Sequence, residues 1–177
     1  MVAPTAGEIL ETLFDFSDAS LASSWESVGD RVMGGVSSGQ LVPLAGGWAA
    51  FRGEVLLENG GGFASVRSAP GPFDLSAHEG LLLEARGDGR TYKLSIRTDP
   101  WADGVSYQVR FATRSGEGAV HRLPFGDFRP TWRGRPVPGA PLLEPARVCS
   151  FGLLVGDRQV GPFHLEISAI RAYRRRG

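Results

Sequence analysis

Nowhere does this chain repeat an apolar residue every three to four positions for more than about two turns, while short runs with alternate residues apolar recur along most of its length. That period of two belongs to half-buried strands rather than to amphipathic helices. Such runs, or short β-branched and aliphatic ones, cover residues 11–16, 48–55, 63–68, 81–86, 92–98, 105–113, 119–123, 150–155 and 163–173, which predicts about nine strands. Between them stand Gly60-Gly61-Gly62, Gly87-Asp88-Gly89, Asp103-Gly104 and Gly116-Glu117-Gly118. These residues supply the positive φ angles of hairpin turns, so sequential strands are expected to pair antiparallel. The 25 glycines and 12 prolines fit a turn-rich β chain and stop short of low complexity. The one helix the pattern permits is a turn or two near residues 17–25, capped by Ser17 or Asp18. We therefore expect an all-β fold, a β-sandwich or jelly roll of two antiparallel sheets with at most one or two short helices. No linker or composition break divides the chain, so residues 1–177 are read as a single domain.

At 177 residues and 42% hydrophobic content, the chain can bury a core without disulfides or structural metal, in keeping with its single cysteine, Cys149. Nineteen basic and nineteen acidic side chains cancel, so no global charge draws it to nucleic acid or an anionic membrane. No stretch approaches the roughly 20 apolar residues of a membrane span, and the first residues lack the basic and apolar regions of a secretion signal. A cytoplasmic location is expected. Two stretches break the strand rhythm: residues 25–40, and residues 124–145 with their prolines and arginines, which read as a long functional or covering loop. Arg174, Arg175 and Arg176 read as a solvated tail.

Catalytic signatures are missing. The sequence has no phosphate-binding loop, nucleophile elbow or zinc-protease motif, and His78, His121 and His164 lack ligand spacing. His121 and His164 fall in strands, where a structural histidine is the simpler reading, and Cys149 lies among Val148, Phe151 and Leu153 as a small hydrophobe. Glu54, Glu58, Glu84 and Glu166 are strand-edge carboxylates, but their spacing selects no acid–base pair. No catalytic residue, metal or cofactor is predicted.

The informative pattern is an alternation of cations. In residues 63–68 the inward set is Ala64 and Val66, leaving Ser65 and Arg67 on the other face. In residues 92–98 it is Tyr92, Leu94 and Ile96, leaving Lys93, Ser95 and Arg97; in residues 105–113 it is Val105, Tyr107, Val109 and Phe111, leaving Ser106, Gln108 and Arg110. If these strands share a sheet, that face is rich in forked donors suited to carboxylates, phosphates or sugar hydroxyls; the plainer reading is a solvated outer face. Trp101 and Trp132 lie beside turn residues, where a ring can stack on a sugar, anchor a partner protein or pin its own loop. Trp25 and Trp48 are assigned to the core.

Asp30-Arg31-Val32-Met33-Gly34-Gly35-Val36-Ser37 resembles the complex I intermediate-associated protein 30 family, the NADH:ubiquinone oxidoreductase assembly factors. Further blocks resemble that family in order: Asn59 to Arg67, Tyr92 to Thr98, Pro124 to Phe128, Arg133 to Val137 and Gly161 to Ile167. The resemblance implies a jelly roll similar to galactose-binding and carbohydrate-binding-module domains. It also implies a chaperone-like, non-enzymatic protein that helps assemble a respiratory or other membrane complex, with complex subunits as partners. A sugar-binding module is the alternative, with a sugar as ligand. The resemblance offers no catalytic residues to carry over. Gly34-Gly35 reads as a tight turn, and the charged positions Asp30, Arg31, Arg67 and Arg97 as either an ion-pair network or a contact with a ligand or partner. Asp30, Arg31, Ser65, Arg67, Arg97, Gln108, Arg110, Trp101, Trp132 and Arg133 are thus the candidate binding residues.

Overall fold

The computed structural model describes residues 5–28, 37–58, 62–101 and 104–177. Its strands are β1 (Glu8–Asp15), β2 (Glu26–Ser27), β3 (Ser38–Pro43), β4 (Ala49–Val55), β5 (Ala64–Arg67), β6 (Gly80–Arg86), β7 (Thr91–Arg97), β8 (Ser106–Ala112), β9 (Gly118–Pro124), β10 (Arg129–Trp132), β11 (Arg135–Pro136), β12 (Ser150–Val155) and β13 (Gly161–Arg175). One sheet runs β3-β4-β13-β6-β9, with β1 also on β13; the other runs β11-β10-β8-β7-β12-β5-β2. Every pairing between these strands is antiparallel. This is the expected all-β jelly-roll sandwich. Its short helix, α1 (Ala19–Ser23), starts where Asp18 accepts the Ser20 N–H at 2.9 Å, the capping side chain that the sequence offered.

Alternation places the core. Tyr92, Leu94 and Ile96 of β7, Leu81, Leu83 and Ala85 of β6, and Leu165 and Ile167 of β13 are all buried between the sheets. Phe51 of β4 is wholly buried against Phe163, with ring centroids 4.8 Å apart, and meets Tyr92 edge-on at 6.3 Å. Trp25 packs edge-on against Phe14 and Phe16, as assigned. Trp48 is only half-buried, because it lies under the Arg86 guanidinium at 4.6 Å rather than in the core.

All nine expected strands are present, and the structure adds four more. Residues 25–40 contain β2 and the start of β3, and the presumed loop 124–145 contains β10 and β11. The tail reading of Arg174 and Arg175 is also corrected: both belong to β13, paired with Ile9 and Glu8 of β1. The glycine turns do something other than expected. Those at residues 87–89 and 116–118 each carry the chain from one sheet to the other, while Gly60, Gly61 and Asp103 lie outside the described residues. Gly62, Gly89 and Gly116 do take positive φ, but Gly104 does not; there, an added Cβ would meet the Asp99 carboxylate at 2.4 Å. Gly34 and Gly35 lie outside the described residues.

Candidate binding groove

The outer face of the seven-stranded sheet holds a groove of about 460 Å³. Strand pairing sets its floor. Arg67 and Ser95 both face Gly152, Ser95 faces Gln108, and Gln108 faces Arg129, so these residues form one row across β5, β12, β7, β8 and β10. Rows on either side put Ser65, Leu154, Lys93 and Arg110 in one line, and Ser150, Arg97, Ser106 and Thr131 in the other. Residues directly opposite in a sheet share a face. Gly152 keeps the middle of the floor low, because a Cβ there would stand 2.5 Å from the Ser95 hydroxyl oxygen and 2.9 Å from the Val66 carbonyl.

Turns build the walls. Between β10 and β11, Arg133 and Gly134 have φ of 48° and 77°, the paired positive values of a two-residue hairpin turn. This turn holds Trp132 and Arg133 over the groove, with the Arg133 guanidinium 4.9 Å from the Trp132 ring centroid. Opposite, Phe63 and the Asp157-Arg158 turn, also at positive φ, close the other side. Asp157 accepts from Arg110 at 3.2 Å and from Lys93 at 3.3 Å. Burial raises its pKa, but those donors outweigh burial and hold the carboxyl below its ordinary 3.8.

Among the described residues five cations line the groove, Arg67, Lys93, Arg97, Arg133 and Arg158, against one carboxylate, Asp157. Among the described residues the two on the floor make no ion pair; Glu26 of β2 stands opposite Arg67 and acts on it only from longer range. Arg97, only 7% exposed, donates through Nη2 to the carbonyls of Trp101 at 2.5 Å and Gly104 at 3.2 Å. Arg67 is half-buried, and among the described residues its guanidinium has neither a hydrogen bond nor an ion pair. Burial, then the like charge of Arg97, push its pKa down, though an arginine so placed stays protonated. An ion-pair network through Arg67 and Arg97 is therefore absent among the described residues.

Of the candidate residues, Ser65, Arg67, Arg97, Gln108, Trp132 and Arg133 line this groove. Arg110 projects from the same face but sits at the rim, bound to Asp157 with 65% of its side chain exposed. Trp101 is 75% exposed and is not among the lining residues; only its carbonyl takes part, by holding Arg97. Asp30 and Arg31 lie outside the described residues. Gly152 and Leu154 were not legible because β12 reads as one apolar run, nor were Asp157 and Arg158, which sit in the turn after it. Lys93 and Ser95 were legible as part of the outward set.

The cysteine, the histidines and the strand carboxylates lie away from the groove lining. Cys149 is half-buried and points its thiol at the Arg97 carbonyl, 3.3 Å away, and burial raises its pKa. His121 lies half-buried against Phe111, its pKa lowered by burial, and His78 reaches Glu11 at 3.1 Å. Among the described residues no three metal-ligating side chains converge. A second hollow near Arg52, Asp88, Arg90 and His164 is wide open, and its Arg90 is already paired to Asp88 at 3.0 Å. Glu84 reaches Arg171 at 3.7 Å, and Glu166 takes two hydrogen bonds from Arg86, at 3.2 and 2.8 Å.

The Arg86 bonds hold the Glu166 carboxyl below its ordinary 4.5. A depressed carboxylate contributes stability above its unfolded pKa and loses it as pH falls through the lower folded value. Wild type will thus lose stability on acidification below about pH 4.5, and Glu166→Gln will flatten that limb in chemical denaturation. Parallel acid limbs for the two proteins would contradict it.

Residues 14–167 match the family model described as complex I intermediate-associated protein 30. An uncharacterised Schizosaccharomyces pombe protein is 29% identical over 84% of this chain and 77% of its own length. The mitochondrial complex I intermediate-associated protein 30 of Drosophila melanogaster is 26% identical over 90% of this chain; the match spans 62% of the fly protein, less than two thirds of its length. Among solved structures, a family 11 carbohydrate-binding module from a Clostridium thermocellum cellulosomal cellulase superposes with a TM-score of 0.68 at 15% identity, covering 92% of this chain and 93% of the module. At that identity the likeness is one of fold, a β-sandwich. Among the described residues, no helix is long and apolar enough to cross a membrane.

Proposed function

Because the chain belongs to the complex I intermediate-associated protein 30 family, we propose that it is a non-enzymatic binding module that holds a polypeptide in the groove during assembly of a respiratory or other membrane complex. The observation that carries the reading is the groove itself, a recessed face whose floor arginines make no ion pair among the described residues. A partner protein supplies both the apolar contacts for Phe63 and Leu154 and the charges for those arginines. The cytoplasmic location read from the sequence belongs to the same proposal; the fly relative is mitochondrial by name, and fractionation of the native host distinguishes the two compartments.

The sugar-binding alternative has the fold in its favour and the tryptophans against it. Trp101 lies away from the groove lining, and Trp132 is stacked with Arg133, so the two rings offer no shared platform on the floor.

Affinity capture from the native host tests the proposal. Tagged wild type will recover subunits of a membrane complex, and a chain carrying Arg67→Gln and Arg97→Gln together will recover at least about tenfold less of them at equal expression. Equal recovery by the two chains, or no membrane-complex subunit with either, would overturn it.

A further inference from the structure

Five arginines among the described residues are buried or half-buried as whole residues: Arg67, Arg86, Arg90, Arg97 and Arg171. Three have carboxylates, with Arg86 on Glu166, Arg90 on Asp88 and Arg171 on Glu84. The other two, Arg67 and Arg97, share the groove floor and among the described residues have none within 4.0 Å, Glu26 opposite Arg67 in β2 acting on it only from farther off. Asp157, the one acid lining the groove among the described residues, is already taken by Lys93 and Arg110. Desolvated like charges without a counter-ion are costly, and an anion from outside removes that cost.

We infer that the groove floor is a carboxylate site, so that the segment it holds is an extended acidic peptide whose Asp or Glu side chains are met by Arg67 and Arg97. This rests on the reading that the occupant is a polypeptide. The placement of the cations favours that occupant over a compact phosphate. They are strung out on β5, on β7, on the β10–β11 turn and on the turn after β12, not gathered around one point. Neighbouring strands lie about 4.8 Å apart, so Arg67 and Arg97, two strands from each other, answer to successive acids along a chain better than to one tetrahedral anion. Val28, Phe63 and Leu154 give the intervening side chains an apolar surface. Arg97 is already aimed, because the carbonyls of Trp101 and Gly104 fix its Nη2.

The test is a titration of the full chain, followed by tryptophan fluorescence and calorimetry, with a capped peptide of alternating Glu and Ser, its Gln counterpart and inorganic phosphate. The Glu peptide will bind at least about tenfold more tightly than the Gln peptide, with affinity falling as salt rises. Arg67→Gln and Arg97→Gln will each lose at least about tenfold, while Arg171→Gln, on the other sheet, will bind as wild type does. Thermal melts guard against misfolding: the Glu peptide will raise the melting temperature of wild type and leave that of Arg67→Gln unmoved. Equal binding of Glu and Gln peptides, no binding of either, or binding of phosphate without the Glu peptide would overturn the inference. The capture experiment judges the other reading separately. Groove-dependent capture without Glu-peptide binding sinks only the carboxylate site, and Glu-peptide binding without capture sinks only the assembly role.

Discussion

Phe51→Ala will lower the free energy of unfolding by about 3–5 kcal/mol, the largest stability effect we expect from one substitution in this chain. Phe51 has no exposed surface, lies tilted against Phe163 with ring centroids 4.8 Å apart and meets Tyr92 edge-on, so truncation leaves a hole lined by rings too large to close it. It also sits where the two sheets touch, since β4 and β13 belong to one and β7 to the other. Urea denaturation followed by fluorescence measures the loss, and a decrease below about 1.5 kcal/mol would mean that the sandwich repacks there.

Gly152→Val will block groove binding at a moderate cost in stability, weakening the acidic peptide by about 30-fold or more. The new side chain must stand on the floor between Arg67 and Ser95, where the row across β5, β12 and β7 brings them to either side of position 152. Its Cβ meets the Ser95 hydroxyl, which can turn away, and the Val66 carbonyl, which cannot; we expect a stability cost of about 1–3 kcal/mol. The melting curve and the titration together decide the matter. A destabilised chain that keeps its affinity would put the binding surface somewhere other than this floor.

Local patterns were readable from the sequence; long-range pairing was not. Alternation in β5, β7 and β8 identified which side chains leave the core, because a strand has no other way to hide Tyr92, Leu94 and Ile96. It could not say that β12 separates β5 from β7, so Gly152, Asp157 and Arg158 came to the groove unannounced. The strands that went unread, such as β3 with Gly39 and Pro43 or β10 with Pro130, contain the residues that weaken strand signals, and they exist because a neighbour pairs with them. Glycine-rich turns announced positive φ correctly at Gly62, Gly89 and Gly116, but a turn does not encode which sheet the next strand joins. The candidate arginines were equally ambiguous. Whether Arg67 or Arg97 has a counter-ion depends on chain brought in from far away in sequence, as with Arg86 and Glu166, 80 residues apart.

The place of β12 has a consequence for how the protein is made. β5 and β7 have no direct pairing and are joined only through a strand that begins at Ser150. A ribosome that has not yet translated that segment carries a chain whose two key guanidinium groups belong to separate, unjoined ribbons, and β1 still waits for β13. Competence to bind therefore arrives late and all at once, so a half-made chain cannot capture a client before its own framework closes.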